Sequence, residues 1–181
     1  MFTHPLLQDI ADQLKEAQIK LGFAPGTVKL YYTCASLSAL TGRCDETPEA
    51  LSENLSADGA LAASPLGQLG FAAHDGRVEV TIAREGVRYV YEEVEASDFL
   101  RGLIGLFAGH HHPSMDDVTE LFRRQDAPFV RREMPEGAEF DCVMYFPAGQ
   151  PDAYHYFFKE EMGHLGYHRF RPEDAAAFFT E

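Results

Sequence analysis

The residues best suited to chemistry in this sequence are two glutamates and two histidines near its C-terminal end, Glu160, Glu161, His164 and His168. Glu161 and His164 have the three-residue spacing found on metal-binding helices, and His164 and His168 lie four residues apart. In a helix, the two imidazoles would lie about 6 Å apart and could bind one metal ion. A metal-dependent hydrolase that uses His164, His168 and Glu160 or Glu161 is therefore one hypothesis.

The residues around this group argue against a helix. Aromatic side chains alternate with period two over 154–159, which predicts a strand. Gly163 and Gly166 would each cost about 1 kcal/mol inside a helix. On a strand, residues four apart are separated by about 13 Å, so His164 and His168 cannot bind one ion. We therefore predict no metal centre and no cofactor. The residues that a helix would gather as ligands are His164, His168 and Glu161.

A hairpin with the three-residue loop Glu161-Met162-Gly163 is the predicted connection between the two strands. Its register pairs Glu160 with His164, Phe158 with Gly166, Tyr156 with His168 and Tyr154 with Phe170. It turns His155 to the opposite face with Phe157, Tyr167 and Arg169. A slip of one residue would reverse this assignment. We favour structural histidines packed beside tyrosines, and the candidates for an aromatic-lined groove are Tyr154, Tyr156, His164, His168 and Glu160.

Other residues that could do chemistry lack a supporting pattern. The histidine run at 110–112 could bind a metal, but it follows a predicted helix and is better explained as a solvated connection. The sequence contains three cysteines, Cys34, Cys44 and Cys142. An odd number without a CxxC pair indicates neither a disulfide framework nor a thiolate zinc site. Cys142 alternates with apolar residues and is predicted to be buried.

The elements that must position these residues follow from hydrophobic periodicity and turn residues. A hairpin turning at Asp75-Gly76 is predicted over 69–82, a loop over 57–70 and a meander over 129–170. The predicted helices cover 5–21, 36–41, 47–55, 85–94, 98–108, 115–124 and a segment from Pro172. Helices and strands are segregated, so we predict an α+β fold, with N-terminal helices packed on a mainly antiparallel sheet and a C-terminal β-meander. The length predicts one domain, 1–181.

The charge and the N-terminal sequence restrict the classes of partner and the compartment. A formal net charge of −14 repels phosphate backbones and anionic lipids, so we expect neither nucleic acid nor membrane as a partner. Residues 1–22 lack a signal-peptide pattern, and no apolar run reaches the length of a membrane span. These features predict a cytoplasmic protein.

Two stretches resemble a known family: residues 10–42, IADQLKEAQIKLGFAPGTVKLYYTCASLSALTG, and residues 158–170, FKEEMGHLGYHRF. The chain resembles an uncharacterised domain-of-unknown-function family from gut Firmicutes. The resemblance implies a bacterial, intracellular setting and brings no activity, cofactor or catalytic residue with it.

Two functional classes follow from the sequence. The first is a non-enzymatic binding or interaction protein with an acidic surface, whose partner is a protein or a small molecule. The alternative is the metal-dependent hydrolase. The type of element formed by residues 160–168 distinguishes them, because a helix would favour the enzyme and a strand would weaken it.

Overall fold

The computed structural model describes residues 2–44, 47–109 and 112–179. Within that part the chain forms eight α-helices and two antiparallel sheets, so the predicted α+β class is confirmed. The chain divides into two compact units, Met1–Ala96 and Ser97–Glu181, and each is described by itself. The single domain predicted for 1–181 stays a prediction.

The first unit combines five helices with a three-stranded sheet. Its helices are α1 (Pro5–Leu21), α2 (Cys34–Thr41), α3 (Pro48–Ser56), α4 (Gly59–Ala62) and α5 (Arg84–Glu93). Its strands are β1 (Val28–Tyr32), β2 (Leu69–His74) and β3 (Arg77–Ile82), in the order β1-β3-β2. Apolar residues of α1 and α5 pack with those of β3 in one core, which confirms that N-terminal helices cover a sheet.

Turn and capping residues explain the ends of these elements. Asp75 and Gly76 both have positive φ and join β2 to β3, as the Asp-Gly signal predicts. The loop predicted over 57–70 is wrong in part, because that segment contains α4 and the first residues of β2. The Asp58 side chain accepts a hydrogen bond from the Ala60 amide and caps this short helix.

The second unit contains the C-terminal meander. Its helices are α6 (Asp98–Ala108), α7 (Met115–Arg123) and α8 (Pro172–Ala175), followed by a 3₁₀ turn at Ala176–Phe178. Its strands are β4 (Val130–Glu133), β5 (Cys142–Tyr145), β6 (His155–Glu161) and β7 (His164–Phe170). They pair antiparallel in chain order, β4-β5-β6-β7, which confirms the predicted meander.

The two faces of this sheet pack against different parts of the unit. Alternating residues of β5 and β6, including Met144 and Tyr156, pack in one core with Phe99 of α6 and Phe122 of α7. On the other face, Val143 and Phe157 join a smaller core with residues of the C-terminal segment, namely Ala175, Phe178 and Phe179. No helix in the described part of the chain is long and apolar enough to cross a membrane.

The register of the last hairpin differs from the prediction by one residue. The loop has two residues, Met162 and Gly163, whose φ angles are 54° and 77°. Glu161 therefore lies opposite His164, and Tyr156 lies opposite Arg169. The predicted three-residue loop and its register are wrong. Methionine rarely adopts positive φ, so the sequence contains no signal for a turn that uses Met162 in this way.

Candidate functional site

The corrected register separates the residues that were predicted to line one groove. His168 lies opposite Phe157, not opposite Tyr156, and therefore shares a face with His155 and His164. His155 and His168 were predicted on opposite faces, and this prediction is wrong. Tyr156 and Glu160 lie on the other face, so the sheet does not bring Tyr156 and His168 together.

Tyr154 and Tyr156 are core residues. Tyr156 has no exposed surface, and its ring meets the rings of Phe99 and Phe122 edge to face. The Tyr154 ring lies 3.6 Å from the guanidinium carbon of Arg169. Arg169 in turn lies 3.8 Å from the carboxylate of buried Asp152, so the buried side chain of Arg169 has both an aromatic and an anionic neighbour. Neither tyrosine is placed to line an open groove.

Glu160 and His168 are exposed on opposite faces of the sheet. The Glu160 backbone amide donates a 2.7 Å hydrogen bond to the Asp141 carboxylate, which fixes the backbone where β5 begins. The His168 ring lies 5.3 Å from the Phe140 ring and parallel to the Phe170 ring. His168 therefore packs beside phenylalanines rather than beside the predicted tyrosines.

His164 contacts His112, which belongs to the predicted solvated connection after α6. Its Nδ1 lies 3.0 Å from the Nδ1 of His112, and the two ring centroids are 4.2 Å apart. Both side chains are exposed. His112 is the last residue of the predicted solvated connection, and His110 and His111 lie outside the described residues. No pattern within 110–112 could indicate this contact, because it depends on how α6 and β7 pack in the second unit.

His155 occupies a less polar environment. Its ring stacks on Tyr145 with centroids 4.1 Å apart, and its buried Nδ1 has no hydrogen-bond partner among the residues the structure describes. Burial lowers the pKa of His155, while the nearby Glu173 carboxylate acts in the opposite direction. Burial therefore favours the neutral form of this histidine over the charged form.

The three cysteines are free thiols in different environments. Cys142 is buried as predicted, Cys34 is partly buried and Cys44 is exposed. Burial, with a smaller contribution from Glu133, raises the pKa of the Cys142 thiol to about 11. Within 2–44, 47–109 and 112–179, no group of three or more His, Cys, Asp or Glu residues could hold a metal ion.

An open depression lies where α7 ends and β4 begins. Its volume is about 530 Å³, and its lining residues are Arg123, Asp126, Ala127, Pro128 and Phe129. The Phe129 ring packs 5.5 Å from the Phe122 ring, so the apolar part of the lining continues into the core. We refer to this feature as the 123–129 depression.

The strand that follows this depression is an edge strand. No other described strand pairs with the outer side of β4. The Met134 amide donates to the Asp141 carbonyl, and Glu133 lies opposite Cys142. Because antiparallel strands alternate between bonded and non-bonded pairs, the backbone groups of Arg132 point towards β5. The N–H and C=O groups of Arg131 and Glu133 therefore point outwards.

Positive charge is concentrated along the same segment. Residues 123–133, which we call the arginine segment, contain two carboxylates, Asp126 and Glu133, and four of the chain's 15 basic residues, Arg123, Arg124, Arg131 and Arg132. Arg131 contacts Glu133 at 2.9 Å, and Arg124 contacts Glu120 at 3.2 Å. In a chain of net charge −14, this cluster is visible in the sequence, but it is not among the predicted site residues.

The antiparallel meander, its open edge and the adjoining depression define an α+β protein whose second unit presents an open strand edge within the arginine segment. The chain belongs to the family described as "Domain of unknown function, E. rectale Gene description (DUF3877)", whose model matches residues 3–179. This match confirms the resemblance deduced from residues 10–42 and 158–170. Neither the curated proteins nor the solved structures contain a match to the chain.

Proposed function

We propose that this protein is a non-enzymatic binding protein, and that β4 and the 123–129 depression bind an extended, acidic segment of a partner protein. The observation that carries the proposal is an edge strand with outward backbone groups directly after an open depression that Arg123 lines. An added strand satisfies such backbone groups, and its alternate side chains enter neighbouring pockets.

Backbone pairing is the first step of this binding mode. The outward N–H and C=O groups of Arg131 and Glu133 can each bond to one residue of an antiparallel partner strand. The β4 strand has four residues, Val130–Glu133, so the paired segment is short. Affinity therefore depends on side chains on either side of the paired backbone.

The positive charge of Arg123 favours partner segments that carry a carboxylate. Arg123 lines the depression and is exposed, and it forms no ion pair with any residue that the structure describes. The Arg132 guanidinium lies over the Phe179 ring at 5.1 Å. A carboxylate on the partner would meet Arg123, and an apolar side chain next to it would contact Phe129. The acidic remainder of this chain would repel an acidic segment bound elsewhere.

The cytoplasm is the compartment that we propose for this binding. Three free thiols, one of them exposed, are typical of a reducing compartment. Partner segments in that compartment are accessible as disordered, charged stretches, which order on binding.

The hydrolase alternative required His164, His168 and either Glu160 or Glu161 on one helix. Residues 155–161 and 164–170 form two strands instead, and a strand separates His164 from His168 by about 13 Å. The geometry that favoured this alternative is therefore not formed.

A direct test uses a fluorescein-labelled peptide of about eight residues with alternating Glu and Val, matched to the length of a typical strand. Fluorescence anisotropy should show binding to the parent protein that weakens as salt is added. Arg123→Glu should reduce affinity at least about tenfold, since it places a carboxylate beside the peptide's carboxylates. Arg101→Glu, on α6, changes the net charge equally and should have little effect.

A second pair of variants separates backbone pairing from charge. Glu133→Ala removes the carboxylate that contacts Arg131, so the acidic peptide should bind as tightly or more tightly. Glu133→Pro removes the same carboxylate and also the outward N–H, so it should bind more weakly than Glu133→Ala. Equal affinity of these two variants would contradict strand addition. Preferential binding of a single-stranded oligonucleotide would contradict the choice of partner.

A further inference from the structure

We propose that His112 and His164 together form a binding site for a divalent transition-metal ion such as Ni²⁺, Cu²⁺ or Zn²⁺. The site uses one imidazole from the segment after α6 and one from the start of β7. It does not use the His164 and His168 pair, and it is independent of the arginine segment and of the proposed peptide binding.

The first support is the distance between the two ring nitrogens. The two Nδ1 atoms are 3.0 Å apart. Metal–nitrogen bonds of about 2.0–2.1 Å separate two imidazole nitrogens by about 2.9 Å at a right angle and about 3.3 Å at a tetrahedral angle. The observed distance is therefore close to that of two neighbouring ligands in a square-planar or octahedral complex, which favours Ni²⁺ and Cu²⁺.

The second support is the ability of this pair to open around an ion. Without a metal, the same distance is a hydrogen bond in which one ring nitrogen donates and the other accepts. Both side chains are exposed, so small rotations of the two rings bring their lone pairs onto a common point. Water completes the coordination, because the pair offers only two protein ligands.

The third support is the local charge. Glu161 lies directly opposite His164 in the hairpin, and side chains at such positions are about 4.5–5.5 Å apart at Cβ. Glu161 is exposed and forms no ion pair within the described part of the chain. Its carboxylate attracts a dication to this end of the hairpin without having to coordinate it.

The test is a calorimetric titration of NiCl₂ into tag-free protein at neutral pH. We expect binding of one ion per chain, and His112→Ala and His164→Ala should each reduce affinity at least about tenfold. His168→Ala is the matched control, since it removes an exposed histidine from the same strand and should leave affinity unchanged. MgCl₂ should not bind at this site, because Mg²⁺ prefers oxygen ligands.

A second control separates the pair from the neighbouring histidines. The variant His110→Ala/His111→Ala should keep the affinity of the parent protein. Loss of binding in that variant, with full binding in His164→Ala, would show that the histidine run alone binds nickel and would overturn the proposal. Failure of the parent protein to bind Ni²⁺ more tightly than His112→Ala/His164→Ala would overturn it as well. Paramagnetic Ni²⁺ should also broaden the amide signals of His112 and His164 selectively.

Discussion

At the scale of single residues, burial decides which histidine affects stability. His155 has a lowered pKa because its ring is partly buried, and its protonation is therefore coupled to unfolding. Its folded-state pKa lies below the unfolded value of about 6.5. The resulting stability is complete above that pH and is lost as the pH falls through the folded-state pKa.

The variant His155→Phe tests this coupling. It keeps a ring against Tyr145 and removes both the titrating group and the buried Nδ1, which has no partner among the described residues. Between about pH 7.5 and about pH 5, the parent should lose more free energy of unfolding than this variant. Urea denaturation at several pH values measures the difference. Parallel pH profiles for the two proteins would show that His155 is not the responsible group.

The place of Met162 in a two-residue turn was not predictable from its residue type. Met162 has positive φ at 54° and is 94% exposed, so it occupies a strained conformation without compensating contacts. For residues other than glycine, asparagine and aspartate, this left-handed backbone conformation costs about 1–2 kcal/mol of conformational free energy. Met162→Asn should therefore raise the free energy of unfolding by up to about 1 kcal/mol. A loss of stability in chemical denaturation would mean that the hairpin has the three-residue loop.

At the scale of elements, two helical glycines have opposite roles. A Cβ atom at Gly86 in α5 would clash with the Leu66 carbonyl oxygen, and backbone atoms cannot easily move aside. At Gly105 in α6, no described atom outside the adjoining backbone of the helix lies within 4 Å of the added carbon. Gly86 therefore allows a close approach, whereas Gly105 only lowers helix propensity.

Alanine substitutions at the two glycines should change stability in opposite directions. Gly86→Ala should lower the free energy of unfolding by about 1–3 kcal/mol, since it overpacks a buried contact. Gly105→Ala should raise it by up to about 1 kcal/mol through helix propensity. Thermal and urea unfolding of both variants measure these effects. A neutral Gly86→Ala would mean that α5 does not pack closely on the loop before β2.

The long helices were predictable from sequence because their buried faces consist of apolar residues that recur three or four positions apart. Phe99 and Leu103 recur on one face of α6, and both are buried. The register of β6 and β7 was not predictable, because a two-residue and a three-residue loop bury different side chains. Tyr156 was assigned to a groove and lies in the core, since the sequence does not show that α6 and α7 cover that face.

At the scale of the whole molecule, the charge distribution matters more than the total charge. The net charge of −14 favoured an acidic interaction surface, yet the candidate surface is the arginine segment. The contact between His112 and His164 was likewise not predictable from sequence, because 52 residues separate the two histidines along the chain. Contacts of this kind follow from packing, which local patterns do not contain.

The three thiols give a prediction for the whole chain. Titration of the denatured, unreduced protein with a thiol reagent should find three groups, as the free cysteines imply. In the folded protein, Cys44 should react quickly because it is exposed. Cys142 should react slowly because it is buried and its thiol has a pKa of about 11. A single reactive group after denaturation would show that a disulfide forms.

Amide hydrogen exchange at β4 tests the proposed strand addition most directly. In the free protein, the outward amides of Arg131 and Glu133 should exchange quickly, and the amide of Arg132, which points towards β5, should be protected. Saturation with the alternating Glu and Val peptide should protect Arg131 and Glu133 and leave Arg132 unchanged. Peptide binding without new protection at these two amides would contradict pairing with β4, and with it the proposed binding mode.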